Sequence, residues 1–313
     1  MNRPKMSVCI PTYNYARFLP EAIDSVLKQT FDDYEVLIVD DCSHDNTRDV
    51  VEEYAGRDKR IRFKINVANI GMAHNWNLCL TEARGEYIKF VFGDDLLSSP
   101  DALKKMASLL DTDPNISLVS SARNCIDAKS RSIKVLMHFK DNAILPGEAV
   151  INRCLIEQKN VVGEPSAVMF RKKDAERGFL PYYTHIVDLE MWFHLLEKGE
   201  FAYLKEPLCS FRIHSGQQTA RNITRYSAAE DNFVLYKEYI NKPYIRASAF
   251  RKKYLWYDHT YKIWKLYTTG SLTKEEALRA IHARYGYTRF LALYPFYKMY
   301  KPFQKMYFKI RYG

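Results

Sequence analysis

Phe90-Val91-Phe92-Gly93-Asp94-Asp95-Leu96-Leu97 decides the fold, read together with Ser7-Val8-Cys9-Ile10-Pro11-Thr12-Tyr13-Asn14 upstream. The first run is apolar and stops abruptly in two adjacent carboxylates. A buried strand that ends in Asp-Asp sets two like charges at the edge of a sheet. Such charges are costly unless a cation or a hydrogen-bonded ligand neutralises them. A divalent metal carrying a diphosphate is the usual solution in enzymes that handle activated phosphates. The plain alternative is a turn whose Asp caps the next helix. Polar clusters at three other strand ends weigh against that alternative.

Outward from this stretch, strand-like and helix-like patterns alternate. Ser7 to Ile10 reads as a short buried strand, and Phe18, Leu19, Ala22, Ile23, Val26 and Leu27 recur at helical spacing. Glu35 to Val39 is a second strand, ending in Asp40-Asp41. Ser43 or Asp45 can cap the following helix, which carries Val50, Val51 and Tyr54. Ile61 to Ile65 is a third strand, Met72 to Ala83 a helix, and Tyr87 to Phe92 a fourth strand. Ser99-Pro100 offers a cap and first-turn proline for a helix to Leu110, and Ile116 to Ser120 is a fifth strand. This alternation argues an α/β fold with a mainly parallel sheet covered on both faces. Ligands of such sheets bind where the strands' carboxyl ends emerge. Thr12, Tyr13, Asn14, Asp40, Asp41, Asn69, Asp94 and Asp95 follow strands, so the topology gathers them on one edge. Gly71 and Asn75 have plainer readings, a tight turn and ordinary helix surface. No Gly-x-Gly-x-x-Gly or Gly-Lys-Ser/Thr loop is present, so phosphate is not held in a glycine nest.

The 313 residues are enough for one large domain with an appendage, or for two domains. No apolar run reaches the ~18 residues of a membrane-spanning helix. The basic start is followed by too few apolar residues for a signal peptide, so cytoplasmic residence is the expectation. Six scattered cysteines lack any Cys-x-x-Cys pair and read as reduced, buried small hydrophobes. Charge is uneven: residues 277–313 hold eight Lys/Arg and no Asp/Glu, leaving 39 basic and 37 acidic residues in 1–276. The net charge of +10 is therefore mostly a basic tail on a nearly neutral body.

Residues 7–110 resemble the nucleotide-binding half of the inverting family-two glycosyltransferases, of GT-A fold. The matching pieces are Ser7 to Asn14, Ser25-Val26-Leu27-Lys28-Gln29-Thr30, Val39-Asp40-Asp41-x-Ser43-x-Asp45-x-Thr47, Asn69-x-Gly71, and Gly85-Glu86-Tyr87-Ile88 leading into Asp94-Asp95. Their order and spacing together are specific, although no single piece is. The resemblance implies a Rossmann-like sheet flanked by helices. It places Pro11, Tyr13 and Asp41 on the nucleoside, and Asp94 on ribose or diphosphate. Asp95 would bind Mn2+ or Mg2+. Thr12, Asn14, Asn69 and Gly71 complete the donor set. Phe92 stands where the family often has the first Asp of Asp-x-Asp-Asp, and His74 where it often has Arg. The likeness runs more loosely to about 220. Gly163 to Arg171 matches a segment near the acceptor, which brings in Glu164 and Pro165. Val187 to Trp192 matches the element of the catalytic base, which falls on Asp188, with Val187 replacing the usual Glu. Glu190 and Trp192 are carried over on the acceptor side. Phe211-Arg212-Ile213-His214-Ser215 resembles a late Tyr-Arg-x-His element, making His214 a metal or diphosphate contact. No Gln-x-x-Arg-Trp is present, so a non-processive hexosyltransferase is implied. Asp188 also reads as a helix N-cap.

The implied activity is transfer of a sugar from a nucleoside diphosphate, with UDP expected. The acceptor is a hydroxyl of a glycan or polyprenyl-linked molecule in cell-surface polysaccharide synthesis. Rival readings are a metal-dependent nucleotidyltransferase and a non-catalytic carbohydrate-binding protein. The expected division is 1–220 as the glycosyltransferase domain, in halves 1–110 and 111–220, and 221–313 as a helical extension. In the tail, Phe290, Leu291, Tyr294, Phe296, Tyr297, Tyr300, Phe303, Tyr307 and Phe308 interleave with Arg289, Lys298, Lys301, Lys305, Lys309 and Arg311. Such a mixture favours peripheral contact with an anionic membrane at the inner face. The alternative is a packed helix with a solvated basic face, and Pro295 and Pro302 argue against one long helix. Nucleic-acid binding is set aside because no recognised module accompanies the charge.

Overall fold

The computed structural model describes residues 3–217 and 226–312, with backbone alone for 305 and 307–312. These residues fall into two compact units. The first comprises Met1–Ile151, Asn160–Tyr182 and Val187–Ser215, and the second Asn152–Lys159, Tyr183–Ile186 and Gly216–Gly313. The beginning of the helical region expected from Asn222 lies outside the described residues.

The first unit is built on one sheet. Strands β1 (Met6–Thr12), β2 (Tyr34–Asp40), β3 (Ile61–Ile65) and β4 (Tyr87–Phe90) alternate with helices α1 (Leu19–Leu27), α2 (Thr47–Arg57) and α3 (Met72–Glu82). Every residue of β1, β2 and β4 is buried, as strands covered on both faces must be. After β4 come β5 (Leu96–Leu97), α4 (Ala102–Thr112), β6 (Ile116–Ile126), β7 (Ser132–Leu136), β8 (Ala143–Pro146), α5 (Gly147–Glu157), β9 (Val168–Arg171), α6 (Val187–Leu196) and β10 (Glu200–Arg212). The strand order is β3-β2-β1-β4-β9-β6-β10-β5, with β7 on β6 and β8 on β10. The β1, β2, β3 and β4 pairings are parallel, in register Thr12 to Asp40 and Cys9 to Phe90. Strand β9 then enters antiparallel between β4 and β6, and β10 runs parallel to β6. The sheet is thus parallel on the β1–β4 side and mixed beyond it. Val8, Ile10, Val36, Ile38, Val91, Leu103, Met106 and Met169 lie in its apolar core, packed with Leu19, Ile23 and Val26 of α1.

Several sequence expectations shift. The expected short strands around Pro207 form one strand, β10, with register slips on both sides of Pro207. A bulge tolerates a residue that cannot donate to the ladder. Helix α2 takes Asn46 as its N-cap residue, and α4 takes Asp101 rather than Ser99; neither makes a side-chain cap bond. All six cysteines are unbridged, and all but Cys42 are buried.

The second unit contains α7 (Tyr226–Tyr239), α8 (Ala249–Thr268), α9 (Lys274–Arg284) and α10 (Tyr287–Tyr312). Thr273 caps α9 in a capping box with Glu276. Tyr257, Ile281, Phe290 and Tyr297 form its aromatic core, with the Tyr257 and Phe290 rings stacked at 5.0 Å. The tail corrects the expectation drawn from its prolines: α10 is a single helix of 26 residues containing both Pro295 and Pro302. Each proline removes one ladder hydrogen bond. Aromatic packing along the opposite side holds the helix through both breaks, with Tyr254 stacked on Tyr297 at 5.5 Å and Tyr261 on Tyr294 at 5.8 Å.

Gly85, just before β4, sits where only a glycine fits. A Cβ at that position would lie 2.3 Å from the Ser7 backbone nitrogen and 2.4 Å from the Met6 carbonyl carbon. Backbone cannot yield as a side chain can. Gly85→Ala is expected to destabilise the first unit by about 1–3 kcal/mol, the range for overpacking, read as a lower urea midpoint of that unit.

Candidate active site

Three loops leave the carboxyl ends of β1, β2 and β4, and the polar residues of the first two tie them together. Asn14 donates its backbone N–H to Ser43 Oγ at 2.7 Å, and its side-chain oxygen accepts from the His44 N–H at 2.8 Å. Ser43 in turn bonds the Asp40 carboxylate through its N–H at 3.0 Å and its hydroxyl at 2.5 Å. Asp45 accepts from the Ala16 N–H at 3.0 Å and from Thr47. Ser43 is therefore not a helix cap but a bridge between loops. Asn14 adopts φ +57°, and Cys42 φ +62°, so both turns pass through the left-handed region.

Asp41 has a defined task before any ligand arrives. Its oxygens accept from the N–H groups of Ile70 and Gly71 at 2.8 and 2.9 Å and from Asn66 at 3.0 Å. Those N–H groups lie at the start of α3, where a carboxylate is favoured. Gly71 has φ +86°, which explains glycine at that turn. Asn69 is exposed and donates to the Asp41 carbonyl at 3.2 Å. Asn75 is not helix surface: it is buried, donating to the Val39 carbonyl and accepting from Asn66. Tyr13 is 39% exposed beside buried Pro11 and Thr12. The Thr12 hydroxyl oxygen is buried and finds no hydrogen-bond partner among the described residues. Gly93 crosses above it, where a Cβ would come within 2.8 Å of that oxygen.

The Asp94-Asp95 turn is the most constrained feature. Asp95 is 1% exposed, and its two oxygens accept from Ser166 Oγ at 2.6 Å and from the Arg212 N–H at 2.9 Å. Burial, and next the Asp94 charge, push its carboxyl well above the usual range. Asp94 meets His214 Nε2 at 3.1 Å, and the His214 ring packs at 4.9 Å from Phe18 and 5.8 Å from Tyr15. Buried Lys89 lies below the turn, donating to the carbonyls of Phe90 and Ser166. Desolvation lowers its ammonium to about 8, against the raising influence of Cys209 and Asp95. Phe92, standing in place of a carboxylate, packs on Trp76 at 5.0 Å.

Glu164 connects this turn to Asp188. It pairs with buried Arg123 and raises the carboxyls of both Asp95 and Asp188 through its charge. Asp188 is inside the first turn of α6, which begins at Val187. It is therefore not the N-cap; its Oδ1 accepts from the next N–H, of Leu189, at 2.8 Å. Burial lifts its carboxyl to about 7, with Glu164 adding to the rise and the Leu189 N–H opposing it. Three residues carried over to the acceptor side are buried. Trp192 is fully enclosed and donates Nε1–H to the Gly163 carbonyl at 3.0 Å. Glu190 is buried in a bidentate pair with Arg177, both contacts 2.9 Å. Pro165 is buried in a short 3-10 turn. All three brace the Glu164 and Asp188 segments from inside.

Arg212 is the residue whose importance the sequence leaves hidden. It is wholly buried. Its N–H holds Asp95, its Nε–H donates to the Asp94 carbonyl at 2.7 Å, and its other nitrogens reach Asp127, Ser130 and Glu21. Its guanidinium lies 4.7 Å from the centre of the Phe18 ring. The only sequence signal was its place two residues before His214.

A GT-A-type architecture is defined by this α/β sheet with an acidic turn after its fourth strand. The profile of glycosyl transferase family 2 matches residues 7–179, and the chain belongs to that family. It is similar to the putative teichuronic acid biosynthesis glycosyltransferase TuaG of Bacillus subtilis, 26% identical over 247 residues that cover 79% of this chain and 92% of TuaG. Residues 1–349 of S. aureus TarS, solved in complex with UDP-GlcNAc, superpose with a TM-score of 0.67 at 21% identity, covering 88% of this chain and 79% of that one. The mannosyltransferase PcManGT of Pyrobaculum calidifontis, in complex with GDP-Man and Mn2+, gives a TM-score of 0.56 at 19% identity, over 97% of this chain and 85% of that one. These two likenesses show the fold.

Arg212→Met strands the buried Asp94 carbonyl and is expected to cost about 2–3 kcal/mol. Glu21→Gln alters only the half-exposed end of the same network and should cost under about 1 kcal/mol. Chemical denaturation of the two variants reads the difference.

Proposed function

We propose that the protein is an inverting, non-processive glycosyltransferase that takes its sugar from a nucleoside diphosphate, UDP first. The acceptor is a hydroxyl of a glycan or polyprenyl-linked molecule in cell-surface polysaccharide synthesis. The observation that carries this reading is two carboxyls raised by burial and by the charge of one shared neighbour, Glu164. Asp95 sits in a braced turn beside Asp94, while Asp188 is lifted to about 7 at the start of a helix. Perturbed carboxyls gathered in this way mark a reaction site. The relatives named above, TuaG in particular, favour the polysaccharide setting.

The donor set fits a divalent cation shared with a diphosphate. Each Asp95 oxygen accepts one hydrogen bond and retains a lone pair. Among the described residues no three metal-ligating side chains cluster, so ligand oxygens would have to complete the shell. Asp95 would hold Mn2+ or Mg2+, with His214 beside it on Asp94. Bound there, the cation would offset negative charge on the diphosphate leaving group. The partnerless Thr12 hydroxyl at the adjacent strand end suits a polar atom of the donor. Tyr13 offers a ring face at that edge, and Asp41, Asn69 and Gly71 shape the neighbouring loop. Asp188 accepts the proton of the acceptor hydroxyl as that oxygen attacks the anomeric carbon. Glu164, charged and near, favours the protonated product of that step. A single displacement inverts the anomeric configuration. The protein lies at an anionic membrane through 277–313, close to a lipid-linked acceptor.

Asp188→Asn is expected to leave UDP-sugar binding within a fewfold while transfer falls at least about a hundredfold, the usual contribution of a positioned base. Transfer within a fewfold of wild type would remove Asp188 as the base. The pH dependence has a fixed sign. A base with its carboxyl near 7 is protonated at low pH, so the rate should rise with pH through about 7 and then level off. The same raised value means that folding stability contributed by the neutral carboxyl is present at acid pH. It is lost as pH rises through about 7, and Asp188→Asn should flatten that slope. UDP should raise the melting temperature more with Mn2+ than without it, and Asp95→Asn should abolish that difference.

A further inference from the structure

Helix α10 is apolar on two opposite sides. One side is the core face, through Phe290 and Tyr297. The other carries Phe296, Met299, Phe303 and Met306, exposed by 66%, 66%, 59% and 56%. Their spacing alternates three and four residues, which sets all four on one stripe of a helix. Pro295 and Pro302 are exposed along its border. Large side chains left open in a row mark an interaction surface rather than ordinary scattered exposure.

Charge selects the partner. Residues 287–312 contain six Lys/Arg and no Asp/Glu. Arg289 and Lys298 are exposed on either side of the stripe. Pairing of two such helices would bring two wholly cationic segments together. An anionic bilayer offers negative headgroups for the cations and an acyl phase for Phe and Met. No helix of the described residues is long and apolar enough to cross a membrane.

We propose that α10 docks in the plane of an anionic bilayer, with Phe296, Met299, Phe303 and Met306 entering the acyl boundary and Arg289 and Lys298 meeting the headgroups. This rests on the membrane contact advanced above and adds the face that makes it. The side chains of Lys305, Tyr307, Phe308, Lys309 and Arg311, expected to share this contact, lie outside the described residues.

Flotation of the full chain with vesicles tests it. The protein should float with phosphatidylcholine–phosphatidylglycerol vesicles, not with phosphatidylcholine alone, and less as salt rises. The triple variant F296S/M299S/F303S should partition at least about tenfold more weakly, since each buried side chain contributes roughly a tenfold factor. The double variant R289E/K298E should also lose binding while leaving the apolar stripe intact. Both should keep the wild-type melting temperature and the wild-type transfer rate to a soluble acceptor, which separates a docking failure from a failed transferase reading. Wild-type protein without preference for phosphatidylglycerol, or variants that float as wild type does, would overturn the proposal. So would a wild-type dimer in size-exclusion chromatography that the triple variant converts to monomer, because the stripe would then belong to a second copy.

Discussion

A carboxylate with almost no solvent contact must be held by donors, and Asp95 is held by two. The Ser166 hydroxyl comes from the segment before β9, and the Arg212 N–H from the end of β10. Neither strand neighbours β4 in the chain. The acidic turn is therefore a tertiary product: β9 and β10 must both be in place before the buried Asp95 carboxyl finds its hydrogen-bond donors. The Arg212 side chain extends the same constraint to Asp94, to the 127–130 turn and to α1. The two halves of the sheet meet at this point, and the rest of the site is arranged around it.

The loops after β1 and β2 show a second economy of design. Residues that would pass for ligand contacts are bonded to one another. Asn14, Ser43 and Asp40 form a chain of short hydrogen bonds, Asp45 ties Ala16 to Thr47, and Asp41 fixes the turn into α3. Rigid loops present what remains open. Tyr13, half-exposed, and the Thr12 hydroxyl, buried without a partner among the described residues, stand outside that set. Binding to such a frame loses little conformational entropy.

How much of this was legible depends on the range of the interaction. Strand and helix identity over the first hundred residues followed from local periodicity, because β1, β2 and β4 are buried on both faces and α1 carries its apolar side at regular spacing. The gathering of strand ends followed from parallel topology alone. What periodicity could not show were contacts between residues far apart in the chain. The Trp192 indole donating to Gly163 and the Glu190 carboxylate across from Arg177 are contacts of this kind. Asp188 reads as a cap because helix starts are local signals, but its carboxyl is set by burial among Glu164 and Arg123. Pro295 and Pro302 read as breaks because helix propensity is local too, whereas α10 is held from outside by stacked aromatic rings. Arg212 gave no local sign of being enclosed.

The central claim is that the braced carboxylate turn holds a cation together with the donor's diphosphate. Anomalous diffraction from crystals grown with UDP and Mn2+ addresses it directly. The account predicts a manganese peak about 2.1 Å from an Asp95 oxygen, the distance of a hard cation to carboxylate, with diphosphate oxygens on its other side. Clear density for UDP at the ends of β1 and β2, with the manganese bound elsewhere or absent from Asp95, would contradict it.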